Sequence, residues 1–419
     1  MEAYMTAVRR ARAVVIAIAF IALIAKGWLA WNTTGQDDTY ILWPQFLQAV
    51  DESGPYGIYG LPHPGWQVYN HPPLAGWWLM AIDIVDTPRL GWPLGFWIRI
   101  GSCVADFLCA LVIFEVVQRR AKLWKAAVAG ALVGASPVLF VISGYHGNHD
   151  AEMMFFAILA AYLLVDRKMP LLAGLALAIS ISYKLPVLVA IPAILVAAVA
   201  LGWRSIGRFM LGFGGFVGVV WLPALLYYFE PYMNNVMLYK ANSFPQQWGL
   251  VQFAQGSALA DFFNTTYTDN GRFLLVVLCG LMSSYVAWRR PDLLVAAIGL
   301  AMSTFLLLSP GYAPQYHVWP LAALYAIGIG FATLYNIGTG IFLIAIYTAW
   351  SGGLPWDKAA TVAFLDNQVT WAAWAWVLLL VTVAHAVWYL WRETRKPRLD
   401  TADTPALVTA EIPGQHAHA

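Results

Sequence analysis

Two adjacent carboxylates, Asp37 and Asp38, follow directly on the first apolar run of the chain, in the string Gln36-Asp37-Asp38. Taking a carboxylate out of water costs several kcal/mol, roughly, unless it is paired or stays wet, so a membrane helix gains nothing from two at its mouth. One of them would act as a general base toward an acceptor hydroxyl or as a ligand for a divalent metal such as magnesium or manganese. The plainer alternative is a helix N-cap with a solvated neighbour. A second cluster, Tyr145-His146-Gly147-Asn148-His149-Asp150, gathers two imidazoles, an amide and a carboxylate at a turn that Gly144 and Gly147 permit. Such a set suits phosphate, sugar or metal, or else forms a polar turn that faces water. Lys184 stands between two apolar runs, where a cation suits a lipid phosphate or simply snorkels to the interface. Ser309-Pro310-Gly311-Tyr312-Ala313-Pro314-Gln315-Tyr316-His317 is rich in groups that hydrogen-bond a sugar, although prolines that end helices explain much of it. Arg99 and Asp106, seven apart and so on one helix face, either reach substrate or pair within the core; the structural reading is favoured.

The elements that must position these groups are membrane helices. The 419 residues are 60% hydrophobic and 11% charged, with a mean hydropathy of +0.64, a composition that excludes a soluble globular protein. A net charge of +2 gives no argument for nucleic acid as a partner. Cys103, Cys109 and Cys279 all lie in apolar runs and suggest neither disulfides nor metal spacing. The expected fold is an all-α polytopic membrane protein of about twelve spans (ten to twelve), at roughly 13–31, 93–117, 126–143, 151–165, 169–183, 186–202, 208–229, 272–288, 292–309, 316–334, 337–350 and 370–391. Arg9, Arg10 and Arg12 precede a first run without a cleavage site, which reads as an uncleaved first helix.

The basic residues at 119–125, 167–168, 204–208, 289–290 and 392–398 then fall on one side together with the N-terminal arginines, which by the positive-inside rule is cytoplasmic and holds both termini. Most acids and the long loops 32–92 and 230–271 fall on the other. Leu74–Val85 is apolar but too short to span, and reads as an interfacial or re-entrant helix entered through Pro72-Pro73. Residues 1–391 read as one membrane domain and 392–419 as a disordered cytoplasmic tail. Asn32-Thr33-Thr34 and Asn264-Thr265-Thr266 match the glycosylation sequon, a short and weak pattern.

Four local features together resemble the GT-C superfamily of polyprenyl-phosphate-sugar-dependent glycosyltransferases, in particular the bacterial mannosyltransferase-like members and the endoplasmic-reticulum glucosyltransferases of N-glycan assembly. Asp37-Asp38 follows the first helix, where that family keeps its catalytic carboxylate. Tyr69-Asn70-His71-Pro72-Pro73-Leu74 is similar to the family's Tyr-Pro-Pro-Leu lead-in to a juxtamembrane helix. Gly144–Asp150 is similar to its polar turn, and Ser309-Pro310 with Pro314-Gln315-Tyr316 resembles the proline-glutamine-tyrosine turn of the bacterial members. The family pattern lacks His71 and carries glutamines where the second turn here has histidine and asparagine, so the identities of sugar and acceptor do not carry over.

The resemblance implies transfer of a hexose or pentose, mannose favoured, from a polyprenyl-phosphate donor to a lipid or glycan acceptor in cell-envelope glycan synthesis. The reaction would run on the extracytoplasmic face of the cell membrane, with inversion. Asp37 or Asp38 would be the base, and His71, His146, His149, Asp150, Lys184, Gln315, Tyr316 and His317 the substrate-binding set, with Lys184 and His146 or His149 on the leaving phosphate. No cofactor is required by this scheme, although Asp38, His149 and Asp150 would suit a divalent ion. The alternative is a transporter or flippase, for which the expected internal repeat and midplane polar groups are not evident. A lipid-linked glycan polymerase or ligase, with a longer donor, is a further rival.

Overall fold

The computed structural model describes residues 2–61, 68–86, 91–239, 248–354, 356–359 and 368–396. No strand occurs among them. Apolar residues surround most of these segments, and in hydrocarbon only a helix satisfies its own backbone groups. In chain order the main helices are α1 (Glu2–Asn32), α2 (Trp43–Gly57), α3 (Pro73–Asp86), α4 (Leu94–Gln118), α5 (Leu123–Gly134), α6 (Pro137–Val141), α7 (Asp150–Ala161), α8 (Pro170–Tyr183), α9 (Ile191–Ala200), α10 (Trp203–Tyr227), α11 (Arg272–Arg289), α12 (Leu294–Leu308), α13 (Val318–Leu324), α14 (Ile329–Trp350) and α15 (Gln368–Thr394). Among the described residues, eight helical stretches are long and apolar enough to cross a bilayer. The stretches at α7, α8, α9 and α13, also read as spans from the sequence, are shorter; α7 and α13 are almost wholly buried. A helix walled by protein keeps its ends satisfied without reaching both lipid faces.

The first long loop contributes α2 and α3, and α3 opens on Pro73 as the interfacial reading expects. The expected break at 335–336 is not there. The chain turns instead at 325–328, and Tyr335 and Asn336 lie inside α14. Asn336 is fully buried but satisfied: its Oδ1 accepts from Ser136 Oγ at 2.7 Å, and its Nδ2 donates to Tyr325 OH at 3.0 Å and to the Leu132 carbonyl at 3.2 Å. A polar residue so paired does not interrupt a helix. Helix α15 runs on to Thr394, three residues past the expected end of the membrane domain at 391, and the chain beyond Lys396 lies outside the described residues.

Ion pairs mark one end of the bundle. Arg12 of α1 meets Glu115 of α4 at 2.6 Å, Arg120 meets Asp166 at 2.8 Å and donates to the Asp292 carbonyl, and Arg290 holds Asp292 and the Glu393 carbonyl. Inside the bundle Lys26 of α1 and Asp106 of α4 pair at 2.7 Å, both almost fully buried. Breaking a buried pair from one side leaves a charge without a partner, which costs about 3–5 kcal/mol. Lys26→Met is therefore expected to lower the thermal unfolding temperature of the detergent-purified protein steeply. Lys26→Met/Asp106→Asn, which leaves no charge behind, should recover most of that loss; equal losses in both would show that the unpaired carboxylate is not what destabilises the single variant.

Candidate functional site

The site is built where the exit of α1 meets the turn before α7. Ser136 caps α6 by accepting from the Leu139 N–H at 3.1 Å, and Pro137 fits its first turn. The helix then widens into a π turn over Ile142–His146, and Gly147 ends it at φ 81°. A π turn adds one residue per turn and so re-aims the side chains that follow. A second π turn, Asp38–Leu42, opens the facing segment. Glycine is required where the two meet: a Cβ on Gly147 would collide with Thr39 Oγ1 and stand 2.9 Å from Arg99 Cγ. Thr39 Oγ1 donates to the His146 carbonyl at 2.5 Å, and Trp43 Nε1 to the Gly147 carbonyl at 3.2 Å.

Arg99, fully buried on α4, clamps the junction. Its guanidinium donates to the carbonyls of Ala30 at 2.6 Å, Thr33 at 2.7 Å, Tyr145 at 3.1 Å and Gly144 at 3.3 Å, and to Thr33 Oγ1 at 2.9 Å. Five donors in a rigid fork suit a cluster of carbonyls that a flexible ammonium would not serve equally. Arg99 and Asp106 therefore act in the core, as favoured from sequence, but with other partners rather than with each other.

Two polar constellations result. In the first, His146 Nε2 lies 3.2 Å from Asp38 Oδ2, and His146 Nδ1 lies 2.5 Å from Tyr347 OH at the end of α14. Gln36 Oε1 accepts from the Asp38 backbone N–H at 2.8 Å, which holds the carboxylate at the head of its turn. In the second, Lys184 Nζ lies 2.8 Å and 2.9 Å from the two oxygens of Asp150 and 3.0 Å from Asn148 Oδ1. Asp150, fully buried, also accepts from Trp319 Nε1 at 2.5 Å. Beneath them, Ser102 Oγ stands within hydrogen-bond distance of the Asn148 carbonyl and of Glu152, and Glu152 reaches His149 Nδ1 at 3.4 Å.

Both constellations border one cavity of about 480 Å³. Its polar part is lined by Asp38, Asn70, His71, Asn148, Lys184, Tyr239, Arg272, Gln315 and Tyr316. Its remaining wall is apolar, from Leu185, Leu188 and Val189 through Met233 and Val236 to Phe273, Val276 and Phe305. His71 packs against Trp43 with ring centroids 4.8 Å apart, and its buried Nδ1 has no hydrogen-bond partner among the described residues. Burial, with Lys184 and then His149 nearby, pushes the His71 imidazole well below its usual range, so at neutral pH it is uncharged.

Residues 70–228 match the family model described as dolichyl-phosphate-mannose-protein mannosyltransferase. The matched stretch begins at Asn70 and takes in His71, the turn at 144–150 and Lys184. The match supports a membrane glycosyltransferase of the GT-C type. No curated protein matches the chain.

Of the residues expected at the glycosyltransferase site, Asp38, His71, Lys184, Gln315 and Tyr316 line the cavity. His146 and Asp150 stand behind the wall, each bonded to a lining residue. His149 is fully buried against Trp43 and Tyr183. His317 is also fully buried, with Nδ1 2.8 Å from Tyr335 OH, away from the lining. Asp37 is not among the lining residues. Asp38, His149 and Asp150 are each bonded to a different partner, and no group of three or more His, Cys, Asp or Glu fit for a metal occurs among the described residues. Sequence reasoning missed Arg272, Tyr239 and Tyr347. Arg272 opens α11 directly after the second long loop, and a cation at the outer end of a span, against the positive-inside trend, was the available signal.

Proposed function

We propose that this glycosyltransferase moves a hexose or pentose, with mannose favoured, from a polyprenyl-phosphate donor to a hydroxyl of a lipid or glycan acceptor on the extracytoplasmic face. The observation that carries the reading is the mixed lining of one cavity: a carboxylate and two cations, Lys184 and Arg272, share it with a long apolar wall. A soluble nucleotide sugar has no use for that wall, whereas a prenyl chain gains roughly 0.8 kcal/mol per buried CH₂. Phe273, half exposed on α11, carries the apolar wall to the rim, where a chain anchored in the bilayer enters.

Asp38 is the base. As the acceptor oxygen bonds to the anomeric carbon, its proton passes to the Asp38 carboxylate. The bond from that carbon to the phosphate oxygen breaks on the opposite side, and the phosphate departs with the electron pair. The result is inversion. Lys184 and Arg272 neutralise the charge that grows on the leaving phosphate, and such preorganised donors are worth most where charge develops. A phosphate needs no proton to leave, so a second carboxylate is unnecessary. His71 and Gln315 offer hydrogen bonds to sugar hydroxyls. The basic ends of α1, α4 and α15 lie at the end of the bundle away from this cavity, which supports an extracytoplasmic site by the positive-inside rule.

The test is transfer by purified, reconstituted protein offered a panel of short-chain polyprenyl-phosphate sugars carrying mannose, glucose or arabinose. Consumption of one donor, with product of inverted configuration, is the expected result. If no donor is bound or consumed while the vesicles exchange a lipid-linked or small polar solute across the bilayer, the protein is a carrier and the reading is wrong.

A further inference from the structure

We infer that His146 and Tyr347 form a buried relay that sets the orientation and readiness of Asp38, and that neither touches substrate. The inference rests on the reading of Asp38 as the base. His146 is 3% exposed at its side chain and does not line the cavity, whereas Asp38 is 26% exposed and does. His146 therefore acts through Asp38 and not on the leaving phosphate.

The protons along the chain follow from donor chemistry. A carboxylate only accepts, so His146 Nε2 carries the hydrogen that faces Asp38 Oδ2 at 3.2 Å. Against the other nitrogen, among the described residues, stands the Tyr347 hydroxyl, 2.5 Å away, which donates to it when the imidazole is neutral. Tyr347 is fully buried, so water does not compete for the role. The carboxylate thus sets the tautomer, and the tyrosine hydroxyl fixes the ring's orientation so that Nε2 meets one carboxylate oxygen. Oδ2 is held, which leaves Oδ1 for the proton of the acceptor.

The backbone repeats the same connection. Thr39, next to Asp38, donates to the His146 carbonyl, and Tyr145 OH, next to His146, lies 2.8 Å from Ser351 Oγ just past the end of α14. The exit of α1, the turn before α7 and the end of α14 are tied side chain by side chain around one carboxylate. His146 is the member that connects all three, and a positioning residue of this kind changes turnover without changing donor affinity.

The test uses short-chain polyprenyl-phosphate mannose, or whichever sugar of the panel the reconstituted enzyme consumes, with binding read separately from the same donor. His146→Ala and Tyr347→Phe should each lower kcat by roughly ten- to a hundred-fold, part of the 10²–10⁴ that a general base contributes, with donor affinity unchanged. His146→Gln retains an N–H near the Nε2 position and should recover most of the loss. The double change His146→Ala/Tyr347→Phe should be no worse than His146→Ala alone, because the tyrosine acts through the imidazole. Donor affinity that falls while kcat holds would place His146 on the phosphate and overturn the relay. Parent-like kcat in His146→Gln and Tyr347→Phe, with kcat also unchanged in a folded His146→Ala, would overturn it too, provided Asp38→Asn is inactive. Should His146→Ala not fold, loss of turnover in Tyr347→Phe decides. If Asp38→Asn itself keeps full activity, the base is elsewhere and the proposed mechanism falls with the relay.

Discussion

Asp38→Asn is expected to reduce sugar transfer by about 10²–10⁴-fold, the usual share of a general base, while leaving donor affinity near that of the parent. Asparagine keeps the size and the oxygen that accepts from His146, so the loss would be of proton acceptance rather than of packing. Asp37→Asn should stay within a few-fold of the parent, because Asp37 is not among the residues that line the cavity. Asp38→Glu keeps the charge but moves it by about one methylene, and a displacement on the order of 1 Å can itself cost ~10²-fold. Single-turnover rates with saturating donor, alongside equilibrium binding of the same donor, separate the effects. An inactive Asp37→Asn beside an active Asp38→Asn would exchange the two roles; two active variants would remove the base from this loop altogether.

The long spans were legible because composition and hydropathy alone specify a helix that must satisfy its own backbone in lipid. The short apolar helix α3 was legible for the same reason, through Pro72-Pro73 and its length. What sequence could not show is which polar residues meet, since that depends on contacts far apart along the chain. Asp106 shares a face with Arg99, yet its partner is Lys26, eighty residues away on another helix. Asn336 looks like a break but is held by Ser136 and Tyr325. The turn at 144–150, singled out from sequence, does border the cavity through Asn148, but its two imidazoles part company: the π turn and Gly147 send His146 toward Asp38 and His149 toward Trp43. Tyr347 passed for one more aromatic in a chain with 20 tyrosines, and only its distance to His146 distinguishes it. His317 shows the converse, a histidine in a promising motif that folding buries against Tyr335.

Lys184→Met should have two effects that must be separated. Lys184 is the cation beside the fully buried Asp150, and removing it leaves that carboxylate with Trp319 as its remaining hydrogen-bond donor, a loss on the order of 3–5 kcal/mol for a buried pair broken from one side. The same change takes a cation from the cavity, where loss of one preorganised donor typically lowers turnover by ~10²–10³-fold. The double change Lys184→Met/Asp150→Asn tells them apart. With no unpaired charge left, it should regain most of the thermal stability, yet transfer should remain at least ~10²-fold down because the leaving phosphate still lacks its counter-charge. Lys184→Arg should fold but not restore full rate, since a planar fork does not reproduce a point charge shared among Asp150 and Asn148. If instead the double variant regains transfer together with stability, then Lys184 serves to hold Asp150 and the turn in place, and the charge that meets the phosphate is supplied by Arg272.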